Sequence, residues 1–278
     1  MNAGEPFDAT GGDKLEITGL RCLVQVEQAL TPSPAHCLIR VYGMSLDHIN
    51  TLTKAGYSFQ AANNYVAVQA GDDLTGQATI FNGNIIEAYP DFSEMPDSPF
   101  VIVASPGPVI QLKPVKPVSF NGATPVATAL QQIIQPAGLT LENNGVNTVL
   151  RYPYFPGTVW QQLNRAITAA DVFGYHDPMK KLLAIWPKKG SREGAAVLVA
   201  PETGMIGYPE FMKNRVRVRT LLDPSFKGMA PGKKTQIKSQ LASANGIFNA
   251  YKVDYDISSE TPGGPWEMII TAAPAGVG

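Results

Sequence analysis

Side chains able to do acid/base, nucleophilic or metal chemistry gather at few places in this sequence. Carboxylates are densest at Asp72-Asp73, at Glu87 with Asp91, and at Glu94 with Asp97. Two carboxyls flanking a sugar bond can cleave cell wall when an apolar pocket keeps one of them protonated. These pairs sit instead among Gly, Pro and Ser, the composition of solvated turns. The three histidines, His36, His48 and His176, have unrelated spacings, and no CxxC, HxxxH or HxxE run supplies metal ligands. His48 is expected within a capped helix and His176 in a Gly-Tyr-His-Asp turn. No GxSxG elbow is present to raise a nucleophilic serine. The run from Gly228 to Thr235 resembles a phosphate loop only superficially. Three residues separate Gly228 from Gly232 where that loop has four, and a turn is expected. No catalytic residue, cofactor or metal is therefore expected, and the chain reads as a non-enzyme.

The remaining candidate is Arg215, Arg217 and Arg219, which alternate with Val216 and Val218. An extended chain sends successive side chains to opposite faces, so the guanidiniums share one face while the valines enter a core. The formal net charge is only −1. Its distribution is uneven: residues 1–100 hold 4 basic and 12 acidic residues, and residues 212–238 hold 8 basic and 1 acidic. An acidic first part and a basic strand near the end favour contact between complementary protein surfaces over nucleic-acid binding, for which a chain basic overall is expected. The arginines are thus read as subunit-interface candidates, with a merely solvated face as the alternative.

The elements that hold these residues are mostly strands. At 278 residues, with 26 Gly and 23 Pro, the chain suits two or three compact units rich in turns. From Lys14 to Ser105, β-rich runs alternate with TPSP, GDD, NGN and PDS clusters. A helix over SLDHINTLTKAG, capped by Ser45 or Asp47 and ending at Gly56, interrupts them, and a hairpin is expected around Asn82-Gly83. Residues 112–190 differ. A Pro-punctuated link leads to a helix with Thr124 as cap and Pro125 at its first position, then to a second helix starting at Thr158 with Val159, Leu163 and Ile167 on its core face. Strand-like runs between and after them make this an α+β module. Strands return from residue 191, with turns at Asn245-Gly246 and Pro262-Gly263-Gly264-Pro265. Trp160, Trp186 and Trp266 are scattered, as core packing requires more than a sugar platform does. Cys22 and Cys37 lie in apolar strand-like runs and are expected as free thiols. No apolar run is long enough to span a membrane, and the first residues lack the pattern of a secretory leader, so a cytoplasmic origin is expected.

Residues 64–105 and 201–274 together resemble the baseplate hub proteins of contractile-tailed bacteriophages. The resemblance rests on Gly-Tyr-Pro at 207–209, LLDPSFKG at 221–228 and the Gly-Gly-Pro-Trp turn at 263–266. It implies a mainly β fold with an α+β insertion: two tail-tube-like antiparallel β-barrel domains, residues 1–111 and 191–278, flanking a middle module of residues 112–190. It further implies a homotrimer whose six barrels form a pseudo-hexameric ring. The tail tube protein, tape measure protein, central spike protein and baseplate wedge proteins would be its partners, and DNA would pass through the lumen only in transit. Such a protein would be assembled in the host cytoplasm and reside in the virion tail baseplate. A peptidoglycan-degrading tail enzyme and a tail-tube initiator or terminator are the alternatives.

Overall fold

The computed structural model describes residues 18–53, 65–72, 76–222 and 229–274. The first stretch of chain supplies β1 (Cys22–Ala29), β2 (His36–Tyr42), α1 (Leu46–Leu52), β3 (Tyr65–Asp72), β4 (Gly76–Pro90) and β5 (Pro99–Ser105). The middle supplies α2 (Pro108–Leu112), β6 (Val118–Ser119), β7 (Ala123–Pro125), α3 (Val126–Ile134), β8 (Thr140–Asn143), β9 (Val149–Arg151), β10 (Tyr154–Phe155), α4 (Val159–Ala170), β11 (Val172–Asp177) and β12 (Leu182–Pro187). The last part supplies β13 (Val197–Val199), β14 (Met205–Met212), β15 (Arg215–Leu221), β16 (Lys234–Ile237), β17 (Gly246–Ser259) and β18 (Trp266–Pro274).

Strands from the two ends of the chain form one eleven-stranded sheet, ordered β14-β15-β18-β17-β1-β2-β5-β4-β3, with β16 joined to β17 and β13 to β16. The seam is the antiparallel pair β1 and β17, in register from Cys22 with Ser259 to Ala29 with Lys252. The chain is therefore mainly β and antiparallel, with an α+β insertion, as expected. Among the described residues β14 and β3 end the path without pairing to each other, and no closed barrel is traced.

Register explains why one face is apolar. Thr220, Met268, Tyr255, Val26, Cys37 and Ala104 stand in line across six strands, and all are buried. A one-residue slip would expose every one of them, so the alternation holds the pairing in place. The sheet curls so that β3, the first half of β4, β13 and β16 help enclose this core, which includes Val68, Ile80, Phe81, Val199 and Ile237.

The middle module has a core of its own. Leu130, Ile133 and Ile134 of α3 pack with Leu163, Ala166 and Ile167 of α4 and with Leu183 and Ile185 of β12. Antiparallel β11 and β12, with β8 parallel to β12, form its sheet. Helix α4 begins where expected. Thr158 Oγ1 accepts from the Gln161 amide at 3.2 Å and Gln161 Oε1 accepts from the Thr158 amide at 3.1 Å, a reciprocal cap. Buried Gln162 donates to the carbonyls of Lys116 and Gly157, pinning the Pro-rich link to the helix.

Several local expectations differ from the structure for identifiable reasons. Asn82-Gly83 makes no hairpin: β4 runs straight through it. A Cβ on Gly83 would lie 2.7 Å from the Phe81 ring and 3.0 Å from the Ser105 backbone, so this glycine serves close approach, not a turn. Helix α1 ends at Leu52 with Thr53 as its cap; the expected end at Gly56 lies outside the described residues. Pro125, not Thr124, occupies the cap of α3, because Thr124 is buried within β7 opposite Leu150. His176 is a buried strand residue of β11; Gly174, which read as a turn signal, instead lets the strand lie close to α4, since a Cβ there would stand 2.5 Å from Ile167 Cδ1. The edge strand β14 was not expected, since Pro209 breaks its pattern. A proline is tolerated at an edge, and β14 also carries a bulge between Ile206 and Glu210.

Candidate assembly surface

Strand β15 places its residues as the alternation required. Val216 and Val218 are buried, while Arg215, Arg217 and Arg219 emerge on the opposite face. Each guanidinium already has an intramolecular neighbour. Arg215 stacks 3.6 Å above the Tyr251 ring. Arg217 Nη1 stands 3.9 Å from Glu210 on the edge strand, a loose pair with the Arg217 side chain 40% exposed. Arg219 donates twice to Glu267, Nη2 to Oε1 at 2.7 Å and Nε to Oε2 at 3.0 Å, the fork geometry that guanidinium and carboxylate prefer. These hydrogen bonds, then the charge of Glu267, raise the Arg219 pKa.

Following the register inward shows what the arginines face. Arg219 aligns with Ile269, Asp254, Glu27 and His36 on successive strands. The next row is Leu221, Glu267, Asp256, Gln25, Leu38 and Val103. The charged face thus runs from basic on β15 to acidic across β18, β17 and β1. Lys252 bridges Asp254 and Glu27 at 3.0 and 3.1 Å. Burial disfavours its charge, but those two bonds more than compensate and its pKa is raised. Burial raises the carboxyls of Asp254 and Asp256, the latter also through Glu267. The acidic partners of the arginines within the chain, Glu210 and Glu267, both come from its last part and not from the acidic first hundred residues.

Of the carboxylates singled out for hydrolysis, the side chains of Glu87, Asp91 and Asp97 are described, and each is at least partly open to solvent. Asp91 accepts from the Ser93 amide and hydroxyl, which lowers its pKa. Glu87 is half-buried on β4, and Asp97 is exposed and loosely paired with Arg21 at 3.8 Å. The side chains of Asp72, Asp73 and Glu94 and the residue Gly228 lie outside what is described. Gly232 forms a turn at φ +87°, against Trp186 and Arg192. Cys22 and Cys37 are free. They lie on adjacent strands but opposite Val41 and Val26, not each other. Trp186 is buried and Trp160 meets His176 edge-on at 6.1 Å. Among the described residues no three His, Cys, Asp or Glu converge as metal ligands, and no helix is long and apolar enough to cross a membrane.

Two features escaped sequence reasoning. The edge strand β14 exposes Tyr208, Phe211 and Met212 beside the arginines. Arg192 is 1% exposed and forks onto Glu142 with two 2.8 Å bonds, tying the last part of the chain to the middle module. Arg192 has no local signal because Glu142 lies 50 positions away, whereas β14 pairs with the next strand and was hidden by Pro209 within its run.

The family described as baseplate hub gp41 matches residues 7–262 of this chain. The chain belongs to that family. Solved structures share its fold at low identity. A 43 kDa tail protein of prophage MuSo2 from Shewanella oneidensis is 10% identical with a TM-score of 0.58, over 96% of this chain and 98% of that one. A tail protein from Neisseria meningitidis is 7% identical with a TM-score of 0.63, over 92% of each chain. An Escherichia coli type VI secretion component, described as structurally similar to the T4 tail proteins gp27 and gp5, is 11% identical with a TM-score of 0.56, over 94% of this chain and 76% of that one. No curated protein sequence matches. As a baseplate hub family member the chain is a structural component of a phage tail, and assembly with other tail components follows from that membership.

Proposed function

We propose that this protein is the central baseplate hub of a contractile phage tail, a homotrimer joining the tail tube and tape measure to the central spike. In this reading residues 1–111 and 191–278 each contribute a tube-like barrel, residues 112–190 pack outside the ring, and six barrels per trimer form a pseudo-hexameric collar through which DNA passes. Wedge proteins surround it in the baseplate, after assembly in the host cytoplasm. The observation that carries the reading is the strand-rich contribution of both chain ends to one curled sheet, apolar on one face and charged on the other, in a chain of the hub family. Rings are built from heterologous contacts, in which one surface meets a different surface of the next copy. Arg215, Arg217 and Arg219 suit such a boundary: they lie one strand from the open edge, and the Arg219 side chain remains 48% exposed despite its pair.

Oligomer mass tests the proposal. A two-barrel hub forms three-membered rings, whereas a one-barrel tube initiator or terminator forms six-membered ones. A mass corresponding to six copies, or turnover of purified cell wall that is lost in Asp91→Ala, would replace the hub reading with one of its rivals.

A further inference from the structure

Two exposed surfaces, distant from each other in sequence, have complementary chemistry. The first is the segment 90–98 between β4 and β5. Phe92 and Met95 stand out into solvent, Met95 being 73% exposed, beside Asp91 and Asp97. The second belongs to the middle module. In the ladder of β7 and β9, Pro125 opposes Val149 and Ala123 opposes Arg151, and all four are exposed, while the intervening Thr124 and Leu150 turn inward. The chain then passes Tyr152, 72% exposed at φ +48°, to Tyr154, which is exposed on β10 opposite Ser119 of β6. Lys116 is exposed in the link that runs beside β10 and the start of α4. Neither Lys116 nor Arg151 has an ion pair among the described residues, and no hydrogen bond or ion pair joins the two surfaces within the chain.

We propose that segment 90–98 of one copy docks on the Arg151–Tyr152–Tyr154 face of another, the acidic and apolar loop meeting the basic and aromatic surface head to tail. Tyrosine and arginine are the residue types that dominate interface energetics, and Phe92 and Met95 are apolar anchors of matching character. Opposite charge at the rim sets register and suppresses wrong pairings. Both halves are carried by every chain, so a second copy is the occupant, and a head-to-tail contact of two different surfaces is the kind that closes rings. This contact rests on the reading of the protein as self-assembling.

Charge exchange tests it. One variant carries Asp91→Lys and Asp97→Lys; the other carries Lys116→Glu and Arg151→Glu. In analytical ultracentrifugation the wild type is expected to self-associate, and each variant alone is expected to do so at least tenfold more weakly, because like charges then oppose across the contact. Combining all four substitutions in one chain should restore association, since its basic loop then fits the acidic face of the next copy at every contact of the ring. Tyr152→Gly, which relaxes a backbone conformation unfavourable to tyrosine, should leave urea stability intact while weakening association. Variants that associate as the wild type does, or a fourfold variant that restores nothing, would place the contact elsewhere while leaving the ring standing. A wild type that is monomeric at every concentration would remove the self-assembly reading, and this contact with it.

Discussion

Arg192 shows how a single residue binds the parts of the molecule together. Its guanidinium is buried against Glu142, its amide donates to the Gly232 carbonyl at 2.8 Å, and Glu142 also accepts from Asn144. The fork from Arg192, foremost, holds the Glu142 carboxyl down to about 2. Glu142→Ala would leave a buried cation unpaired, and urea unfolding should register a loss on the order of 3 kcal/mol. A carboxyl held low in the folded state binds a proton more readily once unfolded. The contribution of Glu142 is therefore present above about pH 4.5 and fades as pH falls towards about 2. His176 acts at a higher window. Burial, partly opposed by Asp177, lowers its pKa from 6.5 to about 4. Between those values the unfolded chain takes up a proton that the folded chain refuses, so acidification from pH 6.5 to 4 costs stability, about 3 kcal/mol at most. Unfolding curves of wild type and His176→Gln across that range should converge in slope on the alkaline side and separate on the acid side. Identical pH profiles would show that His176 is not buried as described.

Individual elements carry more specific expectations. Leu163 of α4 is fully buried between α3 and the module's sheet, and Leu163→Ala should cost about 2 to 5 kcal/mol by denaturant titration. A loss within the range of surface substitutions, about 0.5 kcal/mol, would contradict that packing. On β15 the arginines are not equivalent. Arg219→Glu would set a second carboxylate against nearly buried Glu267 and should destabilise the fold itself. Reversing all three arginines would therefore confuse folding with assembly. Arg215→Glu with Arg217→Glu avoids this, because one arginine stacks on Tyr251 and the other is loosely paired. That double variant should fold and associate more weakly, with less sensitivity to salt than the wild type. Unchanged sedimentation at low and high salt would make β15 a solvated face.

For the whole molecule, the β1–β17 seam makes the two chain ends interdependent. Residues 1–111 alone would leave the β1 edge unpaired along eight positions and half the core uncovered, an aggregation-prone edge. Residues 112–190 have a separate core, closed by α3, α4, β8, β11 and β12. The isolated middle fragment is expected to unfold cooperatively by circular dichroism, whereas the two β fragments should do so only when combined. Tyr175 and Gln28 join the units: Tyr175 donates to Gln28 Oε1 at 3.2 Å, and Gln28 donates to the Ile80 carbonyl at 3.0 Å.

Much of this architecture was legible before any coordinates. Alternation at 215–219 put Val216 and Val218 in the core, Thr158 marked the start of α4, and the change in character across residues 112–190 marked the insertion. These are local signals: side-chain direction and capping depend on residues within one or two turns of chain. What tertiary structure alone decided is where distant residues meet. Gly83 and Gly174 read as turns until Phe81, Ser105 and Ile167 were seen to crowd them, and Pro209 hid an edge strand. Glu267 claims Arg219 across 48 positions, and Arg192 reaches Glu142 across 50. Strand pairing specifies a partner only through the whole buried face, so no window of sequence contains the information that joins β1 to β17.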